Sequence, residues 1–372
     1  MSAGVAVRPV RSAGELRQFI DLPYRLHRGD PLWVPPLRMD VRTMLDRTKN
    51  PFFKRADAEY FLAEGDGRVV GRIAAIHNTA HNEFHEDQVG FFGFFECEED
   101  QRAANALFEA AAEWLRERKL DTMRGPASFS TNDECGLLVE GFDSPPTILN
   151  PHNPRYYIRL VEAAGFSKAK DMFQYQTPGS VLPDRLKRAA QLVQKRFKIT
   201  LRSIDMKRFK EEVDSIKAIY NSAWEKNWGF VPMTDDEIDH LATQLKPVVV
   251  PNLIVFAERE GQPIGFAAAI PDMNVALKAN PSGKLFPGIF KILWKKRKID
   301  RIRILLLGVV KEFRGRGAAE LMYYWIWEKG YALGYRWGEA GWILEDNALM
   351  SKGLEFMGFE PYKRLRLYDR TL

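Results

Sequence analysis

Two stretches of this chain are versions of one another. "FLAEGDGRVVGRIAAI" begins at Phe61 and "VFAEREGQPIGFAAAI" at Val255. Without a gap they share Ala63/Ala257, Glu64/Glu258, Gly67/Gly261, Gly71/Gly265, Ala74/Ala268, Ala75/Ala269 and Ile76/Ile270. Each reads as a strand, a tight glycine turn and a second strand. A second pair, "LVEAAGFSKAKDMFQYQ" from Leu160 and "GLEFMGFEPYKRLRLYD" from Gly353, reads as a helix, a Gly-Phe stop and a charged strand bearing Tyr175 or Tyr368. The two offsets, 194 and 193 residues, agree. Such agreement argues for a duplicated domain.

Between the matched ends, each half reads as hairpin, strand, helix, strand, helix, strand. The expected class is α/β (α+β), with two tandem domains, each a mixed twisted sheet flanked by helices. A length of 372 residues suits two domains. The Pro/Gly cluster "PGSVLPD" (178–184) sets the expected boundary, giving domains 1–180 and 185–372. Cys97 and Cys135 are the two cysteines, which make neither a disulfide framework nor a zinc cluster, so no metal is expected. The N-terminal stretch lacks the apolar core of a signal peptide, and the longest apolar run, "ILLLGVV", is strand-sized. A cytoplasmic placement is the expectation.

"VVKEFRGRGAAELM" (309–322) is the most suggestive corner. An apolar strand enters a short stretch with two glycines and two arginines, and a helical pattern leaves it. A helix N-terminus has unpaired amides and the positive end of the helix dipole, so a glycine-rich approach lets a phosphate come close. The other reading is a tight turn with solvated arginines. There is no GxxxxGK[ST] loop, and no GxGxxG followed at the right distance by an acidic residue. The pattern resembles the GNAT acyltransferase superfamily. Its signature, [Gln/Arg]-x-x-Gly-x-[Gly/Ala], is read as Arg314, Gly317 and Ala319. Its closing pattern is read as Asn347 followed by Gly358-Phe359.

That resemblance covers about residues 185–372 and implies two tandem GNAT-like domains with acyl-CoA as donor. The pyrophosphate would sit on the amides of Gly315, Arg316, Gly317, Ala318 and Ala319, with Asn347 nearby. The pantetheine arm would lie along Gly308, Val309 and Val310, with a backbone N–H such as that of Val310 facing the thioester oxygen. Many relatives carry a tyrosine acid seven residues after the asparagine, where this chain has Leu354. The first half has Glu96, Glu98, Glu99 and Asp100 at the matching corner, which would repel the cofactor's phosphates. One working cofactor site, in the second half, is expected.

Acyl transfer to an amine needs an unprotonated nitrogen. An alkyl amine has a pKa of about 10, so either a base or a desolvating pocket is required. Glu339 and Glu345, on the strand "EAGWILEDN", are the candidate catalytic bases; the alternative is an ordinary salt-bridged glutamate. In the first half, the long segment 125–157 gathers Asn132, Asp133, Glu134, His152, Tyr156 and Tyr157. It is read either as substrate-binding loop, through Asn132, His152, Tyr156 and Tyr157, or as packed connection.

The net charge of +6 is concentrated. Residues 284–303 alone carry eight Lys/Arg against one Asp, so the remainder is close to neutral. Within this insert (280–303), helical spacing puts Phe286, Ile289, Phe290 and Leu293 on one face and Lys291, Lys295 and Lys298 on the other, with Trp294 at the border. A basic amphipathic helix with Trp and Phe suits a membrane surface; the alternative is a helix packed on its own core. Nucleic acid fits worse, because the basic residues interleave with Ile and Leu. The whole chain is also similar to a group of bacterial tandem GNAT proteins that includes the bacterial ceramide synthases. This implies transfer of a fatty acyl group from acyl-CoA to the amine of a sphingoid base such as 3-ketosphinganine, at the inner membrane surface. Acetyl transfer to a small polar amine or peptide, and lipid or CoA binding without turnover, stay open at this level. No feature assigns an oligomeric state.

Overall fold

The computed structural model describes residues 4–179, 184–225 and 227–372. Most of the expected boundary segment, 180–183, lies outside the described residues. The chain opens with β1 (Ala6–Pro9), α1 (Ala13–Leu26) and α2 (Arg38–Met44), then the hairpin β2 (Ala56–Gly65) and β3 (Arg68–Asn78). There follow α3 (Thr79–His85), β4 (Val89–Cys97), α4 (Gln101–Arg116), β5 (Thr122–Gly125), β6 (Leu137–Glu140), α5 (Tyr156–Ala163) and β7 (Ser167–Pro178). The second repeat brings α6 (Asp184–Phe197), β8 (Thr200–Ser203), α7 (Phe209–Trp224), α8 (Asp235–Leu245) and the hairpin β9 (Ile254–Arg259) and β10 (Gln262–Pro271). It continues with α9 (Asn274–Leu277), α10 (Leu285–Lys296), β11 (Arg301–Val309), α11 (Ala318–Ala332), β12 (Trp337–Leu344), α12 (Ala348–Phe356) and β13 (Glu360–Thr371).

The residues shared by the two repeats do the same local work. Asp66-Gly67 and Glu260-Gly261 are two-residue turns with positive φ at both positions, the hairpin geometry that glycine favours. Gly71 lets Leu107 of α4 approach, and Gly265 lets the Gly308 carbonyl and Met322 of α11 approach; a Cβ at either site would collide. Gly165 and Gly358, both left-handed, end α5 and α12, and the phenylalanines after them are buried.

Compactness divides the chain otherwise than repetition does. One unit comprises Met1–Met172, Asn274–Arg297 and Lys363–Leu372; the other comprises Phe173–Met273 and Lys298–Tyr362. The first unit's sheet runs β1-β2-β3-β4-β5-β13 and includes the first half of β7. The second unit's sheet runs from the second half of β7 through β12-β11-β10-β9 to β8. In the second unit, helices cover both faces. Along β10, Ala267 and Ala269 face the cluster under α6 and α11, while Phe266 and Ala268 face the cluster under α7. The helix of the basic insert is shorter than its charge run: α10 stops at Lys296, and Arg301 to Arg303 already belong to β11.

Candidate active site

In each repeat two neighbouring parallel strands part company. β11 and β12 pair only over Arg301↔Trp337 to Ile304↔Ala340, yet run on to Val309 and Leu344. β4 and β5 pair only from Val89↔Thr122 to Phe91↔Arg124. A split between parallel strands exposes backbone N–H and C=O groups that must find other partners.

The first unit fills its split with its own chain. The Ala127 amide donates to the Phe92 carbonyl at 2.8 Å, and Gly93 lies so close to the Ala127 carbonyl that no side chain fits there. The Phe129 ring packs among Phe52, Phe53 and Phe94. At the corner beyond, the Asp100 carboxylate accepts from the Arg102 amide and caps α4. Glu98 pairs with Arg25 and Arg68, and Glu99 with Arg159. An anion would meet a helix end already occupied by a carboxylate.

The second unit has the opposite arrangement. Gly317 is the N-cap of α11 in the left-handed region, and no side chain caps the helix. The amides of Ala318, Ala319 and Glu320 belong to the first turn, ahead of the first intrahelical bond, from the Leu321 amide to the Gly317 carbonyl. Gly317 has no room for a side chain, because a Cβ would lie 2.7 Å from Val193 of α6. Gly315 is also left-handed, in open space. This is a row of amides at the positive end of a 15-residue helix, suited to a diphosphate. Arg316 is exposed beside the Phe313 ring, where its charge can reach an anion. Arg314 turns the other way. Its guanidinium donates to the carbonyls of Ala223 and Ser222 at the end of α7 and to that of Val309, and so ties the loop down.

Along β11 the details correct the expected oxyanion donor. The Val310 amide donates to the Ile264 carbonyl at 3.0 Å, so it is spent on β10. Antiparallel alternation then turns the Gly308 amide toward β10 as well, and the amides of Leu307 and Val309 toward the split. Gly308 is a glycine because Trp224 and Ala223 pack where its side chain would stand. Asn347 caps α12 by accepting from the Met350 amide at 3.2 Å. Leu354, at the place of the family tyrosine, is fully buried in the core.

The two candidate bases differ. Glu339 is 0% exposed; its carboxylate lies 3.3 Å from the Arg303 guanidinium and accepts from the Tyr362 hydroxyl. Arg303, its register partner on β11, also donates to the Gly341 carbonyl. Burial, with the Glu339 charge beside it, pushes the Tyr362 hydroxyl far above its ordinary value. A carboxylate so enclosed and paired acts as a strut: it locks the strands one residue before they part. Glu345 is exposed in the turn after β12. It stands five residues beyond Ala340, as Val309 stands five beyond Ile304, at the far end of the split from the vertex.

The loop candidates lie in the first unit and serve it. The Tyr156 hydroxyl donates to the Cys97 carbonyl, and that of Tyr157 donates to Glu96 at 2.7 Å while accepting from the Cys97 amide. His152 is half-buried, its side chain 6% exposed, and pairs through Nε2 with Asp30 at 2.8 Å. The Asn132 backbone amide donates to the Ser130 hydroxyl at 3.1 Å. Glu96, joined also by His27 and Arg72, is the hub of a buried polar network that no sequence pattern announces.

On α10, Gly288 and Ile292 are the buried face and Ile289 is half-buried. Phe286 (69% exposed), Phe290 (69%), Leu293 (55%) and Trp294 (58%) stand in solvent, among exposed Lys291, Lys296 and Arg297. Lys295 lies near the Trp294 ring, and Lys298 falls past the helix end. Among the described residues no helix is long and apolar enough to cross a membrane, and no group of three His, Cys, Asp or Glu is arranged to hold a metal.

Over its whole length the chain is 37% identical to the bacterial ceramide synthase of Caulobacter vibrioides (strain NA1000 / CB15N), covering 100% of this chain and 98% of that one. This chain belongs to the bacterial ceramide synthase family. Protein YghO of Escherichia coli (strain K12) is a second relative, 35% identical over 98% of this chain and 95% of its own. No family model matches. A tandem GNAT protein from the clavulanic acid biosynthesis pathway superimposes with a TM-score of 0.60 at 14% identity, covering 99% of this chain and 98% of that one. A GCN5-related glucosamine N-acetyltransferase region of a fungal multi-domain β-N-acetylglucosaminidase gives 0.62 at 13% identity, covering 100% of this chain and 38% of that one. The ceramide synthase family member thus has the tandem GNAT fold, and it is an N-acyltransferase.

Proposed function

We propose that the protein moves a long-chain acyl group from acyl-CoA to the amine of a lipidic acceptor, a sphingoid base, at the inner membrane surface. The observation that carries this reading is the uncapped N-terminus of α11 at the mouth of an open strand split, against a first unit whose split and helix end are both filled. The amides of residues 315–319 hold the diphosphate, with Arg316 adding charge. The split receives the pantetheine arm as an extra strand would be received. The Val309 amide, turned toward the split, donates to the thioester oxygen as it gains charge.

In the step itself a C–N bond forms, the C–S bond breaks, and the proton leaving nitrogen ends on the departing sulfur through solvent. Transfer is direct. Both cysteines are buried, and burial pushes the Cys97 thiol up to about 12, so neither serves as an acyl carrier. Glu339 is enclosed and paired, so the loss of the amine's proton is assigned to desolvation, with Glu345, exposed at the level of Val309, as the remaining candidate acceptor: an ammonium withdrawn from water into apolar surroundings gives up its proton more readily. With Leu354 in place of the acid, the sulfur leaves as thiolate, tolerable for a group of pKa about 8.5.

The lipid acceptor is supported by the name of the Caulobacter relative and by α10. Four large apolar side chains held in solvent among cations match a surface that dips into an anionic leaflet. The test is purified protein with palmitoyl-CoA and sphinganine or 3-ketosphinganine, read by free thiol release and by mass spectrometry of the amide. Acetyl-CoA outpacing palmitoyl-CoA with every acceptor, polar amines included, sinks the lipid reading.

A further inference from the structure

α6 has no counterpart in the first repeat, which among the described residues opens with β1, the strand that matches β8. Residues 184–198 carry six Lys/Arg against one Asp. All six cations are exposed, and among the described residues no acid pairs with any of them. Elsewhere in the unit, helix cations have acidic partners: Arg208 has Glu211, and Lys217 has Asp239. A row of like charges without partners repels itself and attracts an anion.

The placement of these cations is informative. Leu186, Ala190, Val193 and Phe197 form the packed side of α6. At about 100° per residue, Val193 stands at one edge of that side. Past this edge come Ala189 and Arg196, then Arg185 and Leu192, then Arg188 and Lys195. Lys187 and Lys198 fall past the opposite edge. Val193 is also the residue that meets the amide cradle, since a Cβ on Gly317 would lie 2.7 Å from it. The edge at the cradle therefore leads to Arg196, Arg185, Arg188 and Lys195. The Arg196 guanidinium lies 5.3 Å from the Phe197 ring, so it bends toward the packed side and the cradle.

A nucleotide with a 3′-phosphate carries that group one ribose away from its diphosphate. We infer that this flank of α6 holds the 3′-phosphate of coenzyme A, with Arg196 nearest the cradle and Arg188 and Lys195 behind it. The inference rests on the acyl-CoA reading above and extends it to the nucleotide end of the donor. A planar guanidinium matches a phosphate in both charge and hydrogen-bond geometry. An anionic leaflet fits this helix less well: α6 exposes one large apolar side chain, Leu192, where α10 exposes four.

CoA and 3′-dephospho-CoA differ by that one group, and calorimetric titration compares them on the same preparation. Wild-type protein should bind CoA at least roughly tenfold tighter, and the gap should narrow as salt rises. In the double variant Arg188→Gln with Arg196→Gln the ratio should fall about fivefold or more. In Lys187→Gln with Lys198→Gln, an equal loss of charge past the other edge, it should stay within about twofold of wild type. These side chains are exposed, so folding should be little affected. Equal affinity of wild-type protein for the two nucleotides overturns the inference, as does an equal fall of the ratio in both double variants. Loss of binding to phosphatidylglycerol vesicles in the arginine variant, with the nucleotide ratio unmoved, also overturns it and assigns the flank to lipid. Wild-type protein that binds neither nucleotide would instead refute the acyl-CoA reading itself.

Discussion

Arg303 and Glu339 face each other across the parallel ladder, guanidinium 3.3 Å from carboxylate, both buried, at the last rung but one before the strands diverge. Removing one partner leaves the other charge buried with its main counter-ion gone, which costs roughly 3–5 kcal/mol. Glu339→Gln should lose about that much in urea unfolding. Its remaining activity should keep the wild-type pH profile, because the carboxylate holds the vertex and takes no proton from substrate. A pH profile that loses its acid limb in this variant would restore Glu339 as the base.

Gly317 carries two constraints, a left-handed φ of 82° and a Cβ position 2.7 Å from Val193. Alanine there costs roughly 1–2 kcal/mol for conformation alone, and contact with α6 adds to it. Gly317→Ala should weaken CoA binding more than tenfold by calorimetry. Adding Val193→Ala should recover part of the loss by making room. Gly315→Ala, strained in φ but in open space, should be the milder change. Equal effects at both glycines, with no rescue, would count against the contact with α6 as the cause.

Glu96 makes a prediction about acid. Burial works against its charge, yet His27, Arg72 and Tyr157 together outweigh that and hold it below the ordinary glutamate value of 4.5. A lowered carboxylate pKa adds stability that is complete above the unfolded-state value and is lost as pH falls through the folded one. Wild-type unfolding free energy should therefore drop below about pH 4.5 with a slope that Glu96→Gln reduces. That variant should also be less stable at pH 7, having left Arg72 buried without its carboxylate. An identical slope in the variant would remove Glu96 from the acid response.

For α10 the expected measurement is co-sedimentation with vesicles. Binding to phosphatidylglycerol-containing vesicles should exceed binding to phosphatidylcholine alone and weaken with salt, each lost cation costing about 1 kcal/mol or roughly fivefold. Phe290→Ser with Trp294→Ser should reduce binding at every salt concentration. Those side chains are exposed, so folding should be little affected. Salt-independent binding, or none, would rule out the leaflet as partner of this helix.

What the sequence shows plainly is what short-range physics determines. The glycine turns at Gly67 and Gly261 and the Gly-Phe stops at Gly165 and Gly358 follow from local conformation, and pattern alone reveals them. The corner at Gly317 is legible for the same reason. Contacts between distant segments are not. Nothing in "GPASF" says that Ala127 closes the first split, because that depends on where β5 releases the chain beside Gly93. The Val310 amide looks available until its bond to Ile264 is known. Arg303 sits in a run of surface-type charge, although Ile302-Arg303-Ile304 alternates as a strand does, the signal of an arginine turned inward opposite an acid. Charge counts by themselves do not distinguish a cation facing solvent from one facing Glu339.

Lys363 to Leu372 lie in the first unit, where Tyr368 to Thr371 pair with Thr122 to Gly125 of β5, while Phe173 to Pro178 of the first repeat lie in the second. A ribosome making this protein finishes the N-terminal repeat long before the strand that completes its sheet exists. That unit must wait with an open edge until β13 has been made. A gene severed between the repeats would encode two fragments that each hold the other's missing piece.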